Sequence, residues 1–159
     1  MDYTIKIGGE AGQGIQTIGD ALGRVFSRAG CHVFTNQDYE SRIRGGHNFY
    51  QIRISNKPLT TFNDKVDILV ALDRESIPMH EKELASNGRV LYDSLSLKLK
   101  HEGTQFIDIP FEKLATEHGG NKIMANTVAT GAVLGMLGLE MEHLLELIAD
   151  LFRKKGEGL

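Results

Sequence analysis

Apolar positions along this chain fall into two periods that alternate. Tyr3-Thr4-Ile5-Lys6-Ile7 is a short β-branched run that stops at Gly8-Gly9. Beyond Gly12-Gln13-Gly14 the period changes: Ile15, Ile18, Leu22, Val25, Phe26 and Ala29 recur three or four residues apart, one apolar face of a helix. Strand, glycine turn and helix make the first half of an α/β unit. Gly30 is a natural stop, and Cys31–Thr35 predicts a second strand. A polar loop, Asn36–His47, comes next. Asn48–Ser55 then alternates, with Tyr50, Ile52 and Ile54 on one face, and predicts a half-wet strand, antiparallel or near an edge.

The pattern continues with Val66–Leu72, a continuous apolar run expected to be a central strand covered on both faces. Ser76 and Pro78 mark a helix start and Asn87-Gly88 its stop. Arg89–Asp93 and Gln105–Ile109 predict two further strands, the second stopped by Pro110, with a short helix from Phe111 to about Glu117 and a break at Gly119-Gly120. Met124–Leu137 is small or apolar throughout and predicts a buried helix. Its Gly131/Gly135 pair offers a face for very close packing. Met141–Phe152 is amphipathic, and Arg153-Lys154-Lys155 suits its C-terminal dipole. The order predicts one domain over residues 1–159: three-layer α/β/α on a mixed, mostly parallel sheet of about six strands.

Composition narrows the class. A chain of 159 residues can bury one real core but hardly two. The net charge of −3 removes the general electrostatic reason to bind nucleic acid. No apolar run reaches membrane-spanning length and Met1-Asp2-Tyr3 does not begin a signal peptide, so a cytoplasmic protein without membrane contact is expected. Cys31 is the only cysteine. One thiol makes no internal disulfide and cannot hold an iron–sulfur cluster; a small buried side chain is expected there.

Candidate chemistry is sparse, and no catalytic set emerges. Gly12-Gln13-Gly14 is followed by Thr17, so the dinucleotide spacing fails at its third glycine, and Asp38 falls too far into the loop to serve a ribose. A tight turn packed against a neighbour is the better reading of these glycines; an anion site at the helix N-terminus is the other. Arg42 and Arg44 beside Gly45-Gly46 bring planar cationic donors and backbone amides together, which suits an anion. They equally suit a solvated loop paired with Glu40 or Asp38. Asn126, polar at the start of a greasy helix, is expected to cap or bond backbone. Asp67 and Asp73 flank the central strand, where carboxylates usually bond loop amides. The six histidines fall in separate elements, and no pair has metal-ligand spacing.

Four stretches taken together are familiar: Gly8-Gly9-Glu10-Ala11-Gly12-Gln13-Gly14-Ile15, Ser41-Arg42-Ile43-Arg44-Gly45-Gly46-His47, Val66–Leu72, and Asn126 before Gly131-Ala132. In this order the chain resembles, over essentially its whole length, the gamma-type domain of the 2-oxoacid:ferredoxin oxidoreductases. Ile43–His47 looks most like the two-subunit 2-oxoglutarate type, in which this domain opens the alpha subunit. The resemblance implies a part in the oxidative decarboxylation of a 2-oxoacid with coenzyme A, electrons passing to ferredoxin. It also implies alpha and beta parts that hold thiamine diphosphate, with iron–sulfur clusters elsewhere and no cofactor held by this chain alone. The cofactor-binding candidates toward coenzyme A are then Gly12, Gln13, Gly14, Arg42, Arg44, Gly45, Gly46 and Asn126. The family's last helix leads into a further segment, whereas this chain stops at Lys155–Leu159, so a fragment of a fused subunit is an open expectation. A free-standing nucleotide-binding or regulatory module and a purely structural assembly domain are the competing functions.

Overall fold

The computed structural model describes residues 1–39 and 46–139, with 142–143, 145–146 and 149. Six strands form one sheet in the order β2-β3-β1-β4-β5-β6. They are β1 (Asp2–Glu10), β2 (His32–Tyr39), β3 (His47–Ser55), β4 (Val66–Ala71), β5 (Leu84–Tyr92) and β6 (Phe106–Asp108). β3 runs antiparallel to both β1 and β2, while β1, β4, β5 and β6 are parallel. The helices are α1 (Ile15–Arg28), α2 (Ser76–His80), α3 (Ser94–Leu97), α4 (Phe111–Gly119) and α5 (Ala125–Met136).

Alternation along the strands divides the interior into two cores. Ile5 and Ile7 of β1, Ile52 and Ile54 of β3, Ile68 and Val70 of β4 all join the apolar stripe of α1 and the inner side of α5. On the opposite face Leu69 and Ala71 of β4 and Val90 and Tyr92 of β5 meet Ile77 of α2 and Leu97 of α3. The second core stops at β4. On β1 and β3 that face is instead polar and yet buried, with Thr4, Lys6, His47, Gln51 and Ser55 shielded from solvent.

Several boundaries differ from the sequence expectation, each for a local reason. β2 continues four residues past Thr35 because its backbone stays in register with β3 as far as Tyr39 opposite Asn48; polar side chains are no obstacle on an edge strand. β3 is antiparallel as expected, but buried rather than half-wet. The segment after it folds back, so that Gln51 Nε2 donates to Asn63 O (3.2 Å) and Arg53 Nη1 to Thr61 O (2.9 Å). Asn87-Gly88 ends no helix. α2 lasts five residues, a 3-10 turn follows at Glu81–Glu83, and β5 has already begun at Leu84. The register shifts between Val66 and Ile68, and a Cβ at Gly88 would meet Ala85 O and Val66 O at 3.0 Å, so this glycine marks an irregularity in the β4–β5 pairing.

β5 stops at Tyr92, because the Asp93 carboxylate accepts from Leu95 N and Ser96 N and so caps α3, a one-turn helix without a periodic signature. α5 is buried only along Ala129, Thr130, Val133 and Leu134, and space around Gly135 is open, so the expected close-packing face is not used there. Cys31 is half-buried at the edge of the first core. Most of the predicted last helix lies outside the described residues, of which 142–143, 145–146 and 149 are helical. No helix among the described residues is long and apolar enough to cross a membrane.

Candidate functional site

Connections leaving β1 and β4 diverge. α1 crosses to the first core, whereas α2 places Ile77 in the second. Where neighbouring parallel strands send their connections to opposite faces, a crevice opens beyond their C-terminal ends. Such a cleft, of about 300 Å³, lies here, lined by Gly12 and Gln13 after β1, Ala71 and Leu72 of β4, Asp93 after β5, and Lys122, Ile123 and Asn126 before and within α5. Gly12 and Gln13 thus line one cleft with Asn126, more than a hundred residues further along the chain. A second hollow of about 370 Å³ lies between Ala11–Thr17 and Asn48–Tyr50.

The turn itself is fixed by backbone geometry. Gly12 has φ 91° and Gly14 φ 82°, left-handed values that favour glycine. Gln13 works as a clip between strand ends: its Oε1 accepts from Glu10 N (2.7 Å) and its Nε2 donates to Leu72 O (3.1 Å). Asn126 does not cap α5, whose N-cap is Met124. Its carboxamide lies over Gly14, so a Cβ on that glycine would fall on Asn126 Nδ2 and stand 2.8 Å from Cγ. Gly46 is buried directly before β3, whose His47 pairs with Glu10 at the end of β1. Arg42, Arg44 and Gly45 lie outside the described residues.

Charge separates the two openings. Among the described residues the cleft holds Asp93 and Glu112 against one cation, Lys122, which pairs with Glu112 at 2.8 Å. Asp93 is spent on Leu95 N, Ser96 N and Ser96 Oγ. A polyanion would meet a net negative wall there. Among the described residues the hollow has no charged residue in its lining, and it borders the start of α1, which has no acidic residue in its first turn and no side-chain cap. The positive end of that helix favours an anion on this side.

Behind the turn lies a polar chain, buried except at Glu83, that no spacing motif in the sequence marks. Lys6 bonds Glu83, Glu83 Oε1 stands 3.0 Å from His80 Nδ1, His80 Nε2 2.8 Å from His47 Nε2, and His47 Nδ1 3.3 Å from Asp73 Oδ2. Asp73 Oδ1 accepts from Ser76 N (2.7 Å) and Ser76 Oγ (2.6 Å). Lys6 Nζ also sits over the Phe49 ring, 4.3 Å from its centroid. The histidines come from different elements 33 residues apart, a separation that no spacing motif encodes. Neither carboxylate beside the central strand bonds a loop amide: Asp73 accepts from the first amide of α2, Ser76 N, and Asp67 accepts from Thr4 N of β1 at 2.8 Å.

Residues 4–159 match the family model described as pyruvate ferredoxin/flavodoxin oxidoreductase. The chain belongs to that family. It is 30% identical over 157 residues to ketoisovalerate oxidoreductase subunit VorA of Methanothermobacter thermautotrophicus, covering 97% of this chain but 33% of VorA. The oxidoreductase domain thus spans about a third of that relative. Its fold superimposes on a 2-oxoglutarate:ferredoxin oxidoreductase from Magnetococcus marinus with 2-oxoglutarate, coenzyme A and succinyl-CoA bound. There the TM-score is 0.84 and the identity 27%, over 97% of this chain and 27% of that one. The gamma subunit of a keto/oxoacid ferredoxin oxidoreductase from Geobacter sulfurreducens matches with TM-score 0.79 and 26% identity, over 93% of this chain and 83% of that one. The chain therefore corresponds to the gamma-type domain of that family.

The buried chain gives this oxidoreductase domain a pH dependence of definite sign. Burial pushes the His80 pKa below its ordinary value, and the charge of Lys6 and the neighbouring His47 push the same way against the Glu83 bond. The unfolded chain therefore takes up this proton first. His80 contributes stability that is fully present above about pH 6.5, the unfolded value, and is lost as pH falls through the lowered folded value. Glu83, raised by burial but lowered further by its bonds to Lys6 and His80, adds a loss of the same sign in more acid solution. Urea midpoints measured from about pH 6.5 down to pH 4.5 should fall; a midpoint that rises over that range would contradict the placement of His80.

Proposed function

We propose that the chain serves an enzyme that oxidatively decarboxylates a 2-oxoacid, 2-oxoglutarate in the first instance, with coenzyme A to give an acyl-CoA and reduced ferredoxin. Its partners in this reading are the alpha and beta parts of that enzyme, with ferredoxin reached through the complex. The observation that carries it is the match over 97% of the chain to an oxidoreductase whose structure holds 2-oxoglutarate, coenzyme A and succinyl-CoA. Thiamine diphosphate would supply the carbanion chemistry and iron–sulfur clusters the electron path in the other parts. Among the described residues no group of three His, Cys, Asp or Glu side chains is placed to hold a metal ion.

The fit to coenzyme A is uneven across the site, and that decides where its parts would go. The cleft wall of Gly12, Gln13 and Asn126 is polar but carries the carboxylates, so it suits amide and hydroxyl groups. Phosphates suit the other side, the hollow where Gly14 opens α1, and the arginines that could reach them, Arg42 and Arg44, stand four and two residues before Gly46 in the sequence. In this proposal Gly12, Gln13, Gly14, Gly45, Gly46 and Asn126 shape the walls, and the two arginines hold charge.

Replacing Arg42 and Arg44 together by glutamine should raise the apparent KM for coenzyme A of the assembled enzyme. Each lost charge-assisted bond costs about 1.5–3 kcal/mol unscreened and less in a wet cleft, so a rise of roughly tenfold or more is expected. KM for the oxoacid and the melting temperature should hold. Unchanged coenzyme A kinetics with lost subunit association would make the loop an assembly element instead.

A further inference from the structure

The buried chain fixes its own hydrogen count. His47 Nδ1 faces the Asp73 carboxylate and His80 Nδ1 faces Glu83, so each of these nitrogens carries a hydrogen. The Asp73 carboxylate is already an acceptor, because its other oxygen takes two hydrogen bonds from Ser76. That leaves two Nε2 atoms 2.8 Å apart. Bare, they would oppose lone pair to lone pair; both protonated, they would oppose two donors and two cations. Only one hydrogen between them makes a bond, and with both Nδ1 atoms protonated that hydrogen makes one ring an imidazolium.

We infer that His47 and His80 share a single proton as an imidazolium–imidazole pair, and that this N–H···N bond fixes the first residue of β3, and with it Gly46, against α2. The charged groups facing the pair among the described residues are Lys6 from β1, Asp73 between β4 and α2, and Glu83 from the 3-10 turn. With one proton on the pair the sum is two positive and two negative charges, and the buried chain is neutral. Without it the cluster would carry a net negative charge, with Asp73 buried and Glu83 half-exposed. Burial and the Lys6 charge disfavour a cation at His80, which is the acceptor, and His47, 3.3 Å from the Asp73 carboxylate, is the donor.

The position gives the pair its consequence. His47 directly follows Gly46, the end of the glycine pair beside Arg42 and Arg44. Its ring stands so close to β1 that a Cβ at Gly8 would meet His47 Cε1 at 3.1 Å and Ser76 Oγ at 2.7 Å. His47 and His80 are therefore positioning residues for Gly46 and the start of β3. The hydrogen count stands on geometry alone; the bearing on coenzyme A rests on the function proposed above, and the first test uses no ligand.

Histidine-labelled full-length chain examined by 15N NMR at pH 7 should show a coupling across a hydrogen bond between the Nε2 atoms of two rings. The donor ring should carry hydrogen on both nitrogens and the acceptor ring on Nδ1 alone. Absence of the coupling, or a donor ring with a bare Nδ1, would overturn the shared proton. The positioning role has a separate readout in amide exchange, corrected for its intrinsic pH dependence. As pH falls and a second proton enters, His47 and Asn48 should lose protection at least tenfold before Ile54 does. Parallel loss at both ends of β3 would overturn the positioning role while leaving the proposed oxidoreductase function untouched.

Discussion

Gly14→Val lowers the melting temperature of this domain by roughly 6–12 °C, the equivalent of about 3 kcal/mol for a chain of this size. Two costs combine. A β-branched residue at φ 82° is strained by about 1–3 kcal/mol, and its Cβ falls on the Asn126 carboxamide. The double variant Gly14→Val with Asn126→Ala separates them, since removing the carboxamide relieves overlap but not backbone strain. It should recover part of the loss and never all of it. A Gly14→Val melting point within 2 °C or so of the parent would mean that the turn is neither left-handed nor packed. Because this turn joins the cleft to the start of α1, damage to the fold and to assembly should exceed any specific loss of ligand affinity.

Asp73→Ala should cost about 3–5 kcal/mol, because it leaves Ser76 N, Ser76 Oγ and the His47 ring buried without their acceptor. The carboxylate is 5% exposed and holds Ser76 N, Ser76 Oγ and the His47 ring at once. Its removal strips the first amide of α2 of its acceptor and leaves His47 facing an empty position. Asp73→Asn keeps the shape and one acceptor oxygen, so urea unfolding should place it between parent and alanine variant. A loss under about 1 kcal/mol for the alanine variant would show that the polar chain is not closed as described.

Much of the frame was legible in the sequence because it depends on local period. The β1–turn–α1 unit is written in the change from a β-branched run to a 3.6-residue stripe, and β4 in an unbroken apolar run. The α2–β5 boundary was not legible, because Asn87-Gly88 punctuates a helix and a strand irregularity with the same residues. α3 was missed because its order comes from the Asp93 cap rather than from an apolar stripe.

Of the candidate site, glycines with positive φ could be inferred from the turn, but the contact of Asn126 with Gly14 is a product of topology. The same holds for His47 and His80. Each looks like an isolated histidine until β3 is laid beside β1 and α2 is folded over it. Lys6 gave a faint hint, a cation within a strand whose neighbours Ile5 and Ile7 are fully buried. The buried polarity of β3 hid behind an alternation that usually marks a solvent face.

The central claim is that this chain is a necessary but insufficient part of a 2-oxoacid oxidoreductase. Its direct test is oxoacid- and coenzyme A-dependent reduction of a viologen dye, measured with the chain alone, with the remaining parts of the enzyme alone, and with both together. The chain alone should give no turnover even with thiamine diphosphate supplied, and full activity should need its addition to the other parts. Robust turnover by the 159-residue chain, or undiminished activity of the other parts without it, would contradict the account.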